Sequence, residues 1–305
     1  MSLMLGISRA AVWKRISKLK KEGYLIEAST KKGYRLQSHD IQYGKVGIQS
    51  LLNTEFIGRE LRFFNTVEST NSTLKALASE GAVDGTVIIS DAQSMGRGRM
   101  GRDWSSSAGL GIWMSILLRP KLHPAMIQSL TLLTAVAVSK ALEAYPDIIP
   151  GIKWPNDILL GNKKCCGILT ELSAEAERVS WVVTGIGINI NQLETDFPEG
   201  LQPTATSLRQ HIKQGAPLNR CDIAAQVLNQ FERIYCDYLL NGPSQMLKEW
   251  KERSVTIGRR VNLIKDQTTI AVKALDIGVD GRLVVEYDDG TIEEVISGEI
   301  SLRNL

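Results

Sequence analysis

The period of the apolar residues changes along this chain, and each change restricts what its part can fold into. From Ser8 to Glu22 the spacing is helical: Ala11, Val12, Ile16 and Leu19 form an apolar stripe, with Arg9, Lys14, Arg15, Lys18 and Lys21 on the other faces. From about Gly44 to Ser254, strands and helices mix without the strict alternation of a doubly wound fold. Thr86 to Ser90, Gly111 to Leu118, Ile158 to Leu160, Cys166 to Glu171 and Val179 to Asn189 read as strands. Asn71 to Glu80, Pro124 to Tyr145 and Asp222 to Leu240 read as helices. Beyond Ser254 only short strands remain, Arg260 to Ile264, Thr269 to Asp276, Arg282 to Tyr287 and Thr291 to Ser297, with Asp280-Gly281 and Asp289-Gly290 as hairpin turns. The pattern predicts an α+β chain in parts 1–40, 44–254 and 255–305, the middle part built on one main sheet.

Charge sets the first part off from the rest. Net charge is only +3 over 305 residues, yet residues 1–38 hold Arg9, Lys14, Arg15, Lys18, Lys20, Lys21, Lys31, Lys32 and Arg35 against Glu22 and Glu27. Ser8 is a predicted N-cap and Gly23 a stop. Tyr24 to Ala28, the turn Lys31-Lys32-Gly33 and Tyr34 to Leu36 then read as a hairpin. This is the end of a winged helix-turn-helix, with Arg9 to Glu22 as recognition helix and a lysine-tipped wing. Ser8, Arg9, Lys14, Arg15, Lys18, Lys31 and Lys32 are its candidate DNA contacts. A solvated amphipathic helix is the plainer alternative.

The segment Gly96-Arg97-Gly98-Arg99-Met100-Gly101-Arg102-Asp103-Trp104 alternates mobile backbone with fixed positive charge. Guanidinium forks suit phosphate and carboxylate oxygens, so the segment reads as a loop that closes over an anion. Taken alone, it reads equally well as a basic turn or a nucleic-acid contact. Trp104 reads as a core residue. Lys153-Trp154-Pro155-Asn156-Asp157-Ile158 precedes an apolar strand, and Gly185-Ile186-Gly187-Ile188-Asn189-Ile190-Asn191 follows. Glu68-Ser69-Thr70-Asn71-Ser72-Thr73 clusters short polar side chains just ahead of an amphipathic run, where N-caps belong.

In this order the four segments resemble the biotin-protein ligase family, and the first part makes the chain similar to the bifunctional members that also repress biotin genes. The resemblance covers nearly the whole chain. It implies a mixed-sheet domain like that of class II aminoacyl-tRNA synthetases, followed by a C-terminal SH3-like β-barrel. The family's DNA-binding part has a further helix ahead of the point where this sequence starts, and Met1-Ser2-Leu3 looks like an expression leader. The first part is therefore expected to be a partial winged helix, which puts operator DNA in question as a partner of this chain.

The implied chemistry is ATP-dependent activation of biotin to biotinyl-5'-adenylate, then transfer to a lysine of the biotin carboxyl carrier protein. Lys153 matches the family lysine that reaches both carboxylate and phosphate, and is the principal catalytic candidate, with Arg97 and Arg99 sharing that role. Arg97, Gly98 and Arg99 match the residues that fold over the adenylate, keeping water from it. Ser69, Thr70, Asn71, Gln93 and the Arg97 backbone match contacts to the biotin ring. Capping of the following helix is the alternative role for Ser69 or Thr70, while Gln93 has no obvious structural role. Arg99, Arg102, Asn156 and Asn189 are assigned to the nucleotide. Asn156 and Asp157 either help place Mg²⁺ and phosphate or form an Asx-turn after Pro155. Gly185 and Gly187 would let a nucleotide or a second subunit's strand come close, and the family's repressors dimerise through the sheet in this region, so a homodimer is expected. No residue between Gln192 and Thr206 is assigned to cover adenine.

Cys165, Cys166, Cys221 and Cys236 lack paired zinc-ligand spacing and read mostly as packing, and His39, His123 and His211 are isolated, so no protein-caged metal is expected; Mg²⁺ would arrive with ATP. Neither a signal peptide nor an uninterrupted apolar span near ~20 residues is evident, which points to a cytoplasmic, reduced protein with no membrane partner. Three rivals remain: a lipoate-type ligase of the same fold, a biotin-sensing repressor with little ligase activity, and a plain nucleic-acid-binding protein.

Overall fold

The computed structural model describes residues 7–21, 26–29, 33–36, 43–175, 178–213, 215–265, 268–296 and 298–302. Helix α1 (Arg9–Lys21) begins where the Ser8 hydroxyl oxygen accepts from the Ala11 N–H at 3.2 Å, as the N-cap predicts. Val12 is buried, whereas Arg9, Lys14, Arg15 and Lys18 are exposed. Strands β1 (Ile26–Ser29) and β2 (Gly33–Leu36) pair antiparallel from Ile26↔Leu36 to Ser29↔Gly33. Glu22 to Leu25, Lys31, Lys32 and His39 lie outside the described residues.

The middle part runs α2 (Lys45–Gln49), β3 (Leu61–Val67), α3 (Thr70–Ser79), β4 (Val87–Gln93), β5 (Gly111–Leu118), α4 (Ile127–Leu142), β6 (Pro150–Lys153), β7 (Asp157–Leu160), β8 (Lys163–Glu175), β9 (Arg178–Asn189), α5 (Arg220–Asn241) and α6 (Ser244–Arg253). Its seven strands form one sheet in the order β3-β4-β5-β9-β8-β7-β6. Only β3 and β4 run parallel; the other pairs are antiparallel.

Side-chain alternation in β5 explains the layers. Ile112, Met114, Ile116 and Leu118 enter the main core, which α4, α5 and α6 cover; Leu117 points the other way and joins Leu74, Ala78, Ile88 and Val183 under α3. Under and beyond the N-terminus of α3 that second face carries Gly167, Gly185 and Gly187 in place of apolar side chains. Glycine there leaves a recess on the sheet, and a cavity occupies it.

The segment Pro124–Leu142 is long enough and, at a mean hydropathy of 1.5, apolar enough to cross a membrane, although Gln128, Ser129, Thr131, Thr134, Ser139 and Lys140 interrupt it, so it is not an uninterrupted apolar span. Every residue from Leu130 to Ser139 is buried inside the protein, the position of a core helix. Cys165, Cys166 and Cys221 are buried and their thiols pushed upward by burial, in keeping with a packing role; Cys236 is exposed and departs from it.

After the middle part, β10 (Arg260–Lys265), β11 (Thr268–Ile277), β12 (Leu283–Glu286), β13 (Ile292–Val295) and β14 (Glu299–Ser301) form a five-stranded antiparallel sheet in the order β13-β12-β11-β10-β14. The unit is tied to β6 at several points. Val255 N–H donates to Ile152 O at 2.9 Å, Trp154 N–H to Thr256 Oγ1 at 3.1 Å and Trp154 Nε1 to Gly281 O at 3.0 Å. Gly281 sits at φ +91° in the predicted Asp-Gly turn, against Gln128 and Ser129 of the core helix, where a side chain would be strained as well as crowded. The C-terminal unit thereby braces the strand that ends in Lys153.

Candidate active site

A cavity of about 310 Å³ opens between the bare face of β8 and β9, the N-terminus of α3, the β6–β7 turn and the Gly-Arg loop. One wall is Trp104. A Cβ on Gly167 would stand 2.9 Å from its ring, and one on Gly187 would stand 2.5 Å from its Nε1. The indole also meets Trp113 edge to face, with centroids 6.5 Å apart, and lies 5.2 Å from the Lys164 ammonium. Trp104 is half-buried and lines the cavity, so the expectation of a core residue is corrected.

At the α3 end the polar side chains form one hydrogen-bond chain. Ser69 caps α3 through Ser72 N–H, and Gln93 Oε1 accepts from Thr70 N–H at 2.8 Å. Gln93 Nε2 donates to Ser106 Oγ at 2.8 Å, so Gln93 does have a structural role, joining the helix start to the base of the loop. Asn71 Nδ2 donates to Leu169 O and to Glu171 Oε2, and its Oδ1 accepts from Ser115 Oγ at 2.6 Å. Gly185 is bare because Asn71 stands over it, with Oδ1 only 2.2 Å from where a Cβ would be.

The Gly-Arg loop is a narrow ladder folded across the cavity mouth. Arg97 pairs with Asp103, Gly98 N–H donates to Arg102 O at 2.7 Å and Trp104 N–H to Gly96 O at 2.9 Å. Met100 and Gly101 turn the chain at φ 56° and 72°. Arg99 reaches inward, donating to Asn156 Oδ1 and to Gly298 O, each at 3.2 Å, and Arg102 pairs with Glu299 at 2.7 Å. Burial lowers the Arg99 guanidinium from its ordinary value, against the opposing charges of Asp157 and Glu299. An anion bound beside Arg99 would relieve that cost.

Lys153 and Lys164 share Asp157, at 3.8 Å and 2.6 Å. With Arg97, Arg99 and Arg102, they make the wall more cationic than its acids Asp103, Asp157 and Glu299 can neutralise. Beyond the lysines lie Asn189, Thr204, Ala205 and the buried ring of Phe197. Asn189 Nδ2 donates to Thr206 O and its Oδ1 accepts from Gln192 Nε2, which fixes the side chain. An aromatic therefore does line the cavity within the segment Gln192 to Thr206 where the sequence left none assigned. Outside the loop a second, open hollow of about 890 Å³ shares Gln93, Arg97, Asp103, Trp104, Ser105 and Leu201 with the first. Among the described residues no group of three or more His, Cys, Asp and Glu side chains could hold a metal.

Comparison with known proteins decides the lineage. Residues 63–189 match the biotin/lipoate A/B protein ligase family model, residues 256–303 the biotin protein ligase C-terminal domain and residues 1–35 an HTH domain. The bifunctional ligase/repressor BirA of Bacillus subtilis is 42% identical over 298 residues, covering 98% of this chain and 91% of the relative. The chain belongs to the biotin/lipoate A/B protein ligase family. Within the family, a biotin--[acetyl-CoA-carboxylase] ligase of Mycobacterium tuberculosis is 34% identical, covering 80% of this chain and 90% of the relative. Among solved structures, the biotin protein ligase from Aquifex aeolicus in complex with biotin and ATP has a TM-score of 0.67 at 30% identity, covering 80% of this chain and 98% of that one.

In this family member the cavity gathers Ser69, Thr70, Asn71, Gln93, Arg97, Gly98, Arg99, Arg102, Lys153, Asn156 and Asn189, every ligand-site residue expected from the sequence. Two of the expectations change in detail. Asn156 is held between Arg99 and Ile168 O, and Asp157 is engaged by lysines. Gly185 and Gly187 make room for Asn71 and Trp104 of the same chain, and β9 already has hydrogen-bonded neighbours on both sides, so no second strand can pair with it there. Lys75, Ser115, Lys164 and Glu171 went unmarked in the sequence, since nothing local to them signals a site.

Proposed function

We propose that this chain joins biotin to ATP as biotinyl-5'-adenylate and passes the biotinyl group to a lysine of a carboxylase carrier protein. The relatives' names and the bound ligands of the Aquifex structure support this reading. One observation carries it: a single cavity joins an end lined with hydroxyl and amide side chains to a cationic middle. A cyclic urea offers two N–H donors to the first, and its carboxylate then meets the α-phosphate of MgATP at the second. Lipoate has no N–H on its ring, so the same end favours biotin.

In the first step a biotin carboxylate oxygen attacks the α-phosphorus, the bond to the β-phosphate oxygen breaks and pyrophosphate leaves. Lys153, which lines the cavity, is assigned to hold both anions together and to neutralise charge growing on the phosphoryl oxygens. Arg99, Arg102, Asn156 and Asn189 are assigned to the nucleotide, and the loop carrying Arg97, Gly98 and Arg99 keeps water from the adenylate. In the second step the carrier's lysine amine attacks the acyl carbon, the C–N bond forms, the acyl–phosphate C–O bond breaks, AMP leaves and the amine gives up one proton to solvent. The hollow outside the loop gives the carrier segment room to approach.

The basic helix α1 supports a further role as a biotin-responsive repressor, with Ser8, Arg9, Lys14, Arg15, Lys18, Lys31 and Lys32 toward DNA. A homodimer, division into parts 1–40, 44–254 and 255–305, and a cytoplasmic site of action belong to the same proposal. The test is pyrophosphate release that requires both biotin and MgATP, with mass-spectrometric addition of biotin to one carrier lysine. Biotin binding without pyrophosphate release would overturn the ligase reading in favour of a sensor.

A further inference from the structure

Lys75 and Glu171 pair at 2.6 Å beside the cavity, on α3 and β8, and neither is among the residues that line it. The second carboxylate oxygen of Glu171 accepts from Asn71 Nδ2 at 2.8 Å, and the other Nδ2 hydrogen goes to Leu169 O at 3.1 Å. An inverted Asn71 amide would set Oδ1 against two acceptors, so the pair fixes which way it points. With Oδ1 turned to Ser115, the contacts Asn71–Ser115 at 2.6 Å, Ser115–Thr70 at 2.8 Å and Thr70–Gln93 Oε1 at 3.1 Å form an unbranched chain.

Proton counting along that chain does not close. Asn71 Oδ1 and Gln93 Oε1 are acceptors only, so two hydroxyl protons, those of Ser115 and Thr70, must serve three contacts. Reversing the Asn71 amide would close it, with Nδ2 donating to Ser115, Ser115 to Thr70 and Thr70 to Gln93. The observed direction thus opposes what the hydroxyls alone would adopt, and the Glu171 carboxylate holds it there. What the chain keeps for a ligand is lone pairs rather than protons.

We infer that the Lys75–Glu171 pair acts through Asn71 to keep this end of the cavity short of protons, and so sets its selectivity for a ligand that donates N–H groups. Glu171 is a positioning residue: it orients Asn71 and does not itself line the site. The inference rests on the biotin reading above. In Glu171→Gln the new amide can accept or donate, so Asn71 is free to reverse and the chain to satisfy itself. Lys75→Met leaves the carboxylate but removes its anchor, and acts in the same direction more weakly.

The experiment is calorimetric titration of the full chain, wild type and both variants, with biotin and with biotin methylated on a ureido nitrogen. The wild type should bind biotin and discriminate strongly against the methylated form. Glu171→Gln should lower that preference about tenfold, the worth of one hydrogen bond in a buried site, with the KM for ATP unchanged. Lys75→Met should lower it less. An unchanged preference in both variants, even alongside an equal loss of affinity for the two ligands, would overturn the inference and leave the biotin reading standing. A wild type that binds neither ligand would overturn both.

Discussion

Gly187 is bare because Trp104 lies against it: a Cβ there would stand 2.5 Å from the indole nitrogen. That nitrogen is buried without a hydrogen-bond partner among the described residues. The ring is held by shape, between two glycine-bearing strands and the edge of Trp113. Gly187→Ala should therefore expel the indole from the wall. Tryptophan emission should shift to the red, biotin affinity should fall at least tenfold, and overpacking should cost about 1–3 kcal/mol of stability. An alanine variant with native emission and affinity would show that the recess has slack.

Lys153 ends β6, which the C-terminal unit braces through Trp154, and its ammonium lies 3.8 Å from Asp157. Asp157 keeps Lys164 when Lys153 is removed. Lys153→Ala should thus leave the melting temperature close to wild type while lowering adenylate formation by about two orders of magnitude or more. Pyrophosphate release at the wild-type rate would remove Lys153 from the chemistry.

The loop is latched to the C-terminal unit by Arg99 on Gly298 O and by Arg102 on Glu299. Arg102 is 65% exposed, so its ion pair is worth under about 1 kcal/mol. Glu299→Gln should barely change stability, yet adenylate should leave the site a few-fold faster in a chase experiment. Unaltered retention would mean that the ladder within the loop is sufficient.

Glu249 on α6 receives Lys140 at 2.6 Å and Gln245 at 3.2 Å, tying α6 to α4 behind the sheet. Burial works to raise its carboxyl, but these hydrogen bonds and the charges of Lys140 and Arg253 outweigh it and hold it below the ordinary 4.5. A carboxyl lowered in the folded state contributes stability that is present above pH 4.5 and is lost as the pH falls through the folded value. Glu249→Gln should lower stability at neutral pH and flatten the acid limb of a melting-temperature profile. An acid limb identical to wild type would place the pH dependence elsewhere.

The sequence made the sheet's interior legible, because β5 and β9 are long, apolar and flanked by glycine or polar punctuation. It hid β6, whose Pro150, Gly151 and following Pro155 read as turn residues although Ile152 pairs with Ile158. Edge strand β3 alternates only weakly in burial, and β14 spans too few residues to signal. The ligand-facing motifs were readable because each is contiguous. The contacts that orient them were not: Lys75 and Glu171 are 96 positions apart, and Trp104 finds its glycines only after β8 and β9 have paired. Burial of α4 likewise depends on α5 and α6 covering it, so its composition alone is equally that of a membrane span.

The most direct measurement is isothermal titration of the purified chain with biotin, with and without MgATP, while pyrophosphate is followed. Biotin binding should tighten with MgATP, with one equivalent of pyrophosphate released and adenylate retained under the loop. Biotin bound with no pyrophosphate released, or no biotin bound at all, would contradict the ligase reading.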